Sequence, residues 1–206
     1  MLAGLLRLLL RVASWFYSAV IRLRNLLYSK GWLETYRANA AVISIGNITT
    51  GGTGKTPLVI WLCNWLRQKN IECVILTRGY KATKNLRLKT PRCRDEPAIL
   101  ARSCPGARVV VNPDRVAGAD KAVKKFGADA LIMDDGFQHR RLGRDLDIVA
   151  IDATCPFGYG RMLPAGMLRE PAASLKRADA VVITRCDQAA ESRLAELEDK
   201  LRLANP

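Results

Sequence analysis

The residues best equipped for chemistry lie in one short run, Thr49-Thr50-Gly51-Gly52-Thr53-Gly54-Lys55-Thr56. Its glycines let successive backbone N–H groups converge on phosphate oxygens. Lys55 offers a point charge to a β- or γ-phosphate, and the Thr56 hydroxyl can ligate Mg²⁺. The context suits this reading: Ala41-Val42-Ile43-Ser44-Ile45 is a β-branched run, Gly46-Asn47 breaks it, and Pro57-Leu58-Val59-Ile60-Trp61-Leu62 follows. Strand, glycine loop and helix are what a phosphate-binding loop requires, and Pro57 fits the first helical turn, where its missing N–H costs little. All eight positions from Thr49 to Thr56 are therefore assigned to nucleotide phosphates. A glycine-rich turn that holds no phosphate is the bland alternative, and the flanking strand and helix weigh against it.

Carboxylates gather where strands end. Ala130-Leu131-Ile132-Met133 runs into Asp134-Asp135, the form of a Walker B segment, and beside a phosphate loop this pair would hold Mg²⁺ directly or through water. Asp152 also ends a strand-like run and reads as a turn or cap residue. Asp95, in Asp95-Glu96-Pro97, follows a basic stretch that includes Lys89, Arg92 and Arg94. It is either an N-cap or a base that accepts the proton of an attacking hydroxyl, and spacing alone favours the cap. The Gly/Pro-rich stretch from Gly158 to Pro171 looks like a substrate-facing loop. There Arg161 and Arg169 either bind phosphate or are solvated, and Glu170 either joins a metal or polar network or is solvated too. Thr184-Arg185-Cys186-Asp187 matches a guanine-reading N-K-x-D too poorly to argue for GTP.

These residues need a scaffold, and the 206-residue chain supplies an α/β one: a mostly parallel sheet flanked by helices. Apolar runs at 71–76, 107–111, 130–133, 147–151 and 180–183 suit buried parallel strands, with helical stretches at 58–69, 96–102, 116–126 and 191–203. Residues 31–206 read as the core domain and residues 1–30 as an amphipathic membrane-associating helix. At about 100° per residue, Arg7, Arg11, Ser14, Ser18, Arg22 and Asn25 share one face, and Leu2, Leu5, Leu9, Phe16, Val20, Leu23 and Leu27 the other. Arg24 alone breaks the pattern, as a snorkelling side chain can. Such a helix suits an anionic bilayer surface; packing on the protein's own core and a tilted span are the alternatives. Lys and Arg number 33 against 19 Asp and Glu, a formal charge of +14. That excess leaves nucleic acid, membrane or a phosphorylated substrate open as partner. The six cysteines show no C-x-x-C pair and point to a reducing compartment.

Taken in order, GNITTGGTGKTP, LTRGYK, DEP, DDGFQHRRLGRDLDIVAID and GRMLPAGMLREP resemble the tetraacyldisaccharide 4′-kinase family, the lipid A 4′-kinases of Gram-negative bacteria. The resemblance implies transfer of the γ-phosphate of ATP, with Mg²⁺, to the 4′-hydroxyl of a tetraacylated disaccharide 1-phosphate. The implied place is the cytoplasmic face of the inner membrane, and no nucleic-acid partner is implied. It assigns Lys55 and Thr56 to phosphate and magnesium, Asp134 and Asp135 to the metal, Asp95 to the general base and Glu170 to the catalytic set. Tyr80, Gln138, His139 and Arg169 lie in family motifs as well. Family members are longer, with a second lobe whose histidine pairs with the base aspartate, so the resemblance implies an incomplete form with weak or no activity alone. The loop departs from strict G-x-x-x-x-G-K-[ST], with Thr49 in place of the first Gly. Its tail is similar to that of membrane-associated partitioning ATPases, which makes an ATPase switch the alternative; they carry a signature Lys where Thr50 stands. A basic, non-catalytic binder would leave the loop and the acidic pair unexplained.

Overall fold

Strands β2 (Cys73–Thr77) and β4 (Ala130–Asp134) are buried at every position, with none of the alternation of a half-exposed strand. That is the pattern of central strands in a parallel sheet covered on both faces. The computed structural model describes residues 2–79 and 96–205. Helices α1 (Leu2–Ser29), α2 (Lys55–Gln68), α3 (Glu96–Ser103), α4 (Arg115–Phe126) and α5 (Glu191–Ala204) accompany strands β1 (Ala41–Gly46), β2, β3 (Arg108–Val111), β4, β5 (Leu146–Asp152) and β6 (Ala180–Thr184). Strands β3, β2, β4 and β1 are neighbours in that order, and β5 pairs with β6. Each run read from the sequence as a strand is a strand, with ends displaced by a residue or two. β2 starts at Cys73 because Ile71 N–H bonds back to the carbonyl of Leu66 and Glu72 N–H donates to the Asp129 carboxylate. Helix α2 starts at Lys55 rather than Leu58, so Lys55 and Thr56 occupy its first turn, where backbone N–H groups lack helical partners.

The chain divides into two compact units. One comprises residues 36–45 and 55–146 and contains β1 to β4, paired in parallel. Val42, Val74, Leu76, Leu131, Met133 and Leu142 fill its core against Ala119 and Ala122 of α4. Asp114 caps α4 by accepting from the N–H groups of Val116 and Ala117, and Gly127 ends the helix in the left-handed region. After β4 the chain turns sharply. Asp135 adopts φ 54°, Gly136 N–H reaches the carbonyl of Ile45 (3.2 Å), and Arg144 donates to the carbonyls of Phe137 (3.2 Å) and His139 (2.8 Å). Phe137 is wholly buried there. Cys63 and Cys73 are buried free thiols, Sγ to Sγ 3.4 Å.

The other unit comprises residues 1–35, 46–54 and 147–206, with β5 and β6 in parallel. Helix α5 buries Leu197 and Leu201, and Asn205 donates to the carbonyls of Leu175 and Ala178 (both 2.7 Å). Helix α1 docks through polar groups. Ser14 Oγ donates to the carbonyl of Met162 (2.8 Å), Tyr17 Oη to that of Arg169 (3.1 Å), and Asn25 Nδ2 to Glu170 Oε2 (2.6 Å). Leu5, Leu9, Val12, Trp15, Phe16, Val20 and Leu23 remain 47% to 67% exposed, so the apolar stripe faces away from the unit that holds the helix. Arg24, the residue that broke the helical pattern, is half-buried with its guanidinium 5.4 Å from the Tyr28 ring centre.

Phe137 ties a motif made mostly of polar residues to the core. Phe137→Ala is expected to destabilise the fold by about 3–5 kcal/mol. Urea denaturation followed by circular dichroism checks this, and a loss below about 1 kcal/mol would mean the turn is held by its backbone bonds alone.

Candidate phosphate-binding site

The loop between β1 and α2 is held from several sides within its own unit. Arg185 Nη2 donates to the carbonyl of Gly52 (2.6 Å) and Thr184 Oγ1 to that of Thr53 (3.1 Å). Arg185, itself left-handed at φ 55°, is fixed by an ion pair with the Asp152 carboxylate. Asp152 also accepts from the N–H (2.9 Å) and hydroxyl (2.6 Å) of Thr154, so it is a turn residue and an arginine anchor at once. A trans peptide is planar, so pinning the carbonyls of Gly52 and Thr53 turns the N–H groups of Thr53 and Gly54 the opposite way. Asn47 Nδ2 donates to Thr53 Oγ1 (2.9 Å), and Thr50 N–H to the carbonyl of Met167 (2.7 Å). Thr49 is buried and bridges Leu168. Gly51 (φ 111°) and Gly54 (φ 73°) adopt conformations other residues avoid, and a Cβ on Gly54 would lie 3.2 Å from Thr184.

The chain runs from Gly54 straight into α2, and the second group of residues lies in the other unit. Lys55 Nζ is 3.4 Å from Asp135 Oδ1. Asp134 is buried, with Thr77 Oγ1 donating to its Oδ2 (3.4 Å). Thr56, half-buried, is in the first turn of α2. Arg115 is 3% exposed and donates to the carbonyls of Asn112 (2.8 Å) and Asp134 (3.2 Å). Burial lowers its pKa, against the raising effect of the Asp134 and Asp135 charges. The described residues hold no cluster of three or more His, Cys, Asp or Glu side chains fit for a metal. The carboxylates of Asp134 and Asp135 with the Thr56 hydroxyl are nonetheless hard oxygen donors. They fit Mg²⁺, which takes one or two carboxylates and fills its octahedron with waters and phosphate oxygens.

Glu170 is engaged in a separate network. Its carboxylate is fully buried and receives Arg177 Nη1 (2.9 Å), Arg177 Nη2 (3.3 Å) and Asn25 Nδ2 (2.6 Å). Burial pushes its pKa up, yet the Arg177 and Asn25 bonds outweigh this and hold it below the ordinary value. Arg169 donates its backbone N–H to the carbonyl of Ile48 (2.7 Å). Gln138 and His139 lie in the turn after Asp135, with His139 N–H on the carbonyl of Gly136 (2.8 Å). Tyr80 and Asp95 lie outside the described residues.

The model of the tetraacyldisaccharide-1-P 4′-kinase family matches residues 6–205. The chain belongs to this family. The tetraacyldisaccharide 4′-kinase of Syntrophotalea carbinolica is 44% identical over 185 residues, 84% of this chain and 52% of that protein. Its counterpart in Geobacter metallireducens is 42% identical over 197 residues, 90% and 58% of the two chains. The chain thus spans about half the length of the curated relatives it matches. The crystal structure of the "apo" form LpxK from Aquifex aeolicus in complex with ATP is similar at TM-score 0.79 and 39% identity, covering 88% of this chain and 60% of that one. The signal recognition particle receptor FtsY from Elizabethkingia anophelis, at TM-score 0.51 and 14% identity over 76% of this chain and 54% of that one, shares the fold alone.

Two residues of this kinase-family chain escape sequence reasoning. Arg185 falls in a poor match to a nucleotide-base motif, although a Thr-Arg pair directly after a strand is well placed to reach a loop at the same sheet edge. Arg115 lies just ahead of the helical stretch read at 116–126, and nothing in its neighbours signals burial. Loss of the Arg185 clamp leaves the Gly52 carbonyl without its charged donor. Arg185→Ala is therefore expected to weaken nucleotide binding by about tenfold, read as the Kd of a fluorescent ATP analogue. An unchanged Kd would remove Arg185 from the loop's support.

The Glu170 network sets an acid limit. A depressed carboxyl pKa stabilises the fold fully above its unfolded value, ordinarily 4.5, and the gain is lost as pH falls through the lower folded value. Stability measured from pH 6 down to about 3 should fall less steeply in Glu170→Gln than in the parent chain. Parallel profiles would show that the ion pair does not carry the acid sensitivity.

Proposed function

We propose that the chain carries the nucleotide-binding core of an ATP-dependent kinase that phosphorylates the 4′-hydroxyl of tetraacyldisaccharide 1-phosphate in lipid A synthesis. The observation that carries the reading is the Lys55–Asp135 pair, 3.4 Å apart, with Lys55 at the start of α2 and Asp135 directly after β4, in a member of this kinase family. The Aquifex relative, whose crystal structure is a complex with ATP, supports the same nucleotide. In this reading the N–H groups of residues 49–54 bind the phosphates, and Lys55 takes up charge as it builds on the transferring γ-phosphoryl group. Asp134, Asp135 and Thr56 would hold Mg²⁺, whose charge would offset that of the β- and γ-oxygens. In the same reading Asp95, whose role as base is what the resemblance implies, accepts the proton of the 4′-hydroxyl as its oxygen bonds to phosphorus. The bond from phosphorus to the bridging oxygen breaks, and ADP leaves.

The acceptor is a lipid, and α1 supplies what a lipid surface needs: exposed Leu, Val, Trp and Phe side chains, with Arg7, Arg11 and Arg22 exposed beside them. By length and composition α1 could also cross a bilayer. We favour a helix lying at the cytoplasmic face of the inner membrane, because its docked side is polar and its arginines interrupt the apolar run. Against an ATPase switch of the partitioning type, Thr50 stands where those proteins carry their lysine, and its N–H and hydroxyl are both directed at Met167.

The test supplies ATP, Mg²⁺ and detergent-dispersed disaccharide 1-phosphate to this chain and to a form extended to the length of its relatives. The extended form is expected to phosphorylate the lipid, and Lys55→Ala to lower that rate by about a hundredfold or more without altering vesicle binding. ATP hydrolysis with no phosphorylated lipid would overturn the kinase reading. Loss of vesicle binding in Lys55→Ala would overturn the separation of anchoring from chemistry.

A further inference from the structure

We propose that bilayer lipid bound along the apolar face of α1 tightens nucleotide binding by the phosphate loop, with Ser14, Tyr17 and Asn25 as positioning residues. The inference rests on the kinase reading and deepens it. Every contact it uses lies within one compact unit.

Residues 162–170 form a strap held on two sides. On one side α1 donates to the carbonyls of Met162 and Arg169 and to the Glu170 carboxylate. On the other side the strap bonds to the chain entering the phosphate loop. Arg169 and Glu170 direct their N–H groups at the carbonyl of Ile48 (2.7 and 3.4 Å), Leu168 bridges Thr49, and the carbonyl of Met167 accepts from Thr50 N–H (2.7 Å). Arg169 is the shortest link. Its carbonyl accepts from Tyr17 while its N–H donates next to the loop, so one residue's backbone joins helix to loop.

The seam on α1 consists of three side-chain hydrogen bonds, and it is complete only while the helix is formed. Most helical stability in proteins comes from packing of an apolar face, and a helix whose apolar stripe faces water lacks that contribution. Lipid that covers Leu5, Leu9, Val12, Phe16, Val20 and Leu23 stabilises the helix, and with it the seam, the strap and the backbone of residues 48–50. The exposed Arg7, Arg11 and Arg22 make an anionic bilayer the fitting occupant. Linkage is reciprocal, so nucleotide must in turn strengthen vesicle binding by the same factor.

The test titrates a fluorescent ATP analogue into the chain with and without phosphatidylglycerol/phosphatidylethanolamine vesicles, in the absence of acceptor lipid. The expected result is a Kd tightened about fivefold or more by vesicles. Tyr17→Phe and, independently, Asn25→Asp should bring that ratio close to one while both variants still sediment with vesicles. Equal Kd values in a chain that binds both partners overturn the coupling and leave the kinase reading standing. A vesicle effect that survives both substitutions overturns the route through the seam. Failure to bind nucleotide at all overturns the kinase reading and this inference together.

Discussion

Everything in the loop depends on holding glycine-rich backbone still. Gly51, Gly52 and Gly54 allow the close approach that phosphate oxygens need, and the same freedom would let the loop wander. The hydrogen bonds from Arg185 to Gly52 and from Thr184 to Thr53 remove it by fixing two successive peptide planes. The ion pair with Asp152 holds the guanidinium in place, and Asp152 is in turn fixed by Thr154. β5 ends at Asp152 and β6 at Thr184, paired in register, so two adjacent strand ends act as the clamp. This makes the parallel pairing of β5 and β6 a requirement of the loop's geometry and more than scaffold.

Helix α1 shows what happens when an amphipathic helix meets its own protein with its polar side. Burial of a leucine or phenylalanine side chain is worth about 1.5–3 kcal/mol, whereas a typical hydrogen bond nets about 0.5–1.5 kcal/mol. A helix free to choose would bury its apolar stripe, yet here Ser14, Tyr17 and Asn25 face the strap while Leu5, Leu9, Phe16, Val20 and Leu23 face out. The stronger of the two stabilising effects goes unused within the unit, which is the physical case for an apolar medium on the outer side. The fully buried Glu170 sits at the middle of this arrangement, neutralised by Arg177 and tied to α1 by Asn25.

The sequence made the sheet legible because its strands are short, β-branched and bounded by Gly, Asp or charged turns. Buried parallel strands leave few other readings for such runs. Gly51, Gly54, Lys55 and Asp134 stand out in the sequence by type and spacing, and the fold brings Lys55, in the first turn of α2, to 3.4 Å from Asp135. Arg115 and Arg185 were not legible, since a lone arginine carries no local signal of what it will touch. Their partners are carbonyls, present at every residue, so only the folded chain reveals which ones they reach.

Glu170 marks the same boundary from the other side. By residue type, a glutamate in a Gly/Pro-rich loop can join a metal or polar network or stay solvated, and only the family resemblance implies a place in the catalytic set. Its carboxylate oxygens are occupied by Arg177 and Asn25, and its own N–H is turned toward Ile48. Through those contacts it holds α1 and the strap in one arrangement next to the loop. A buried carboxylate needs compensating donors, and here the donors come from two separate elements, so satisfying the charge also fixes the geometry. Residue type could say that Glu170 would be charged and paired; which elements its pairing would join could be read only from the fold.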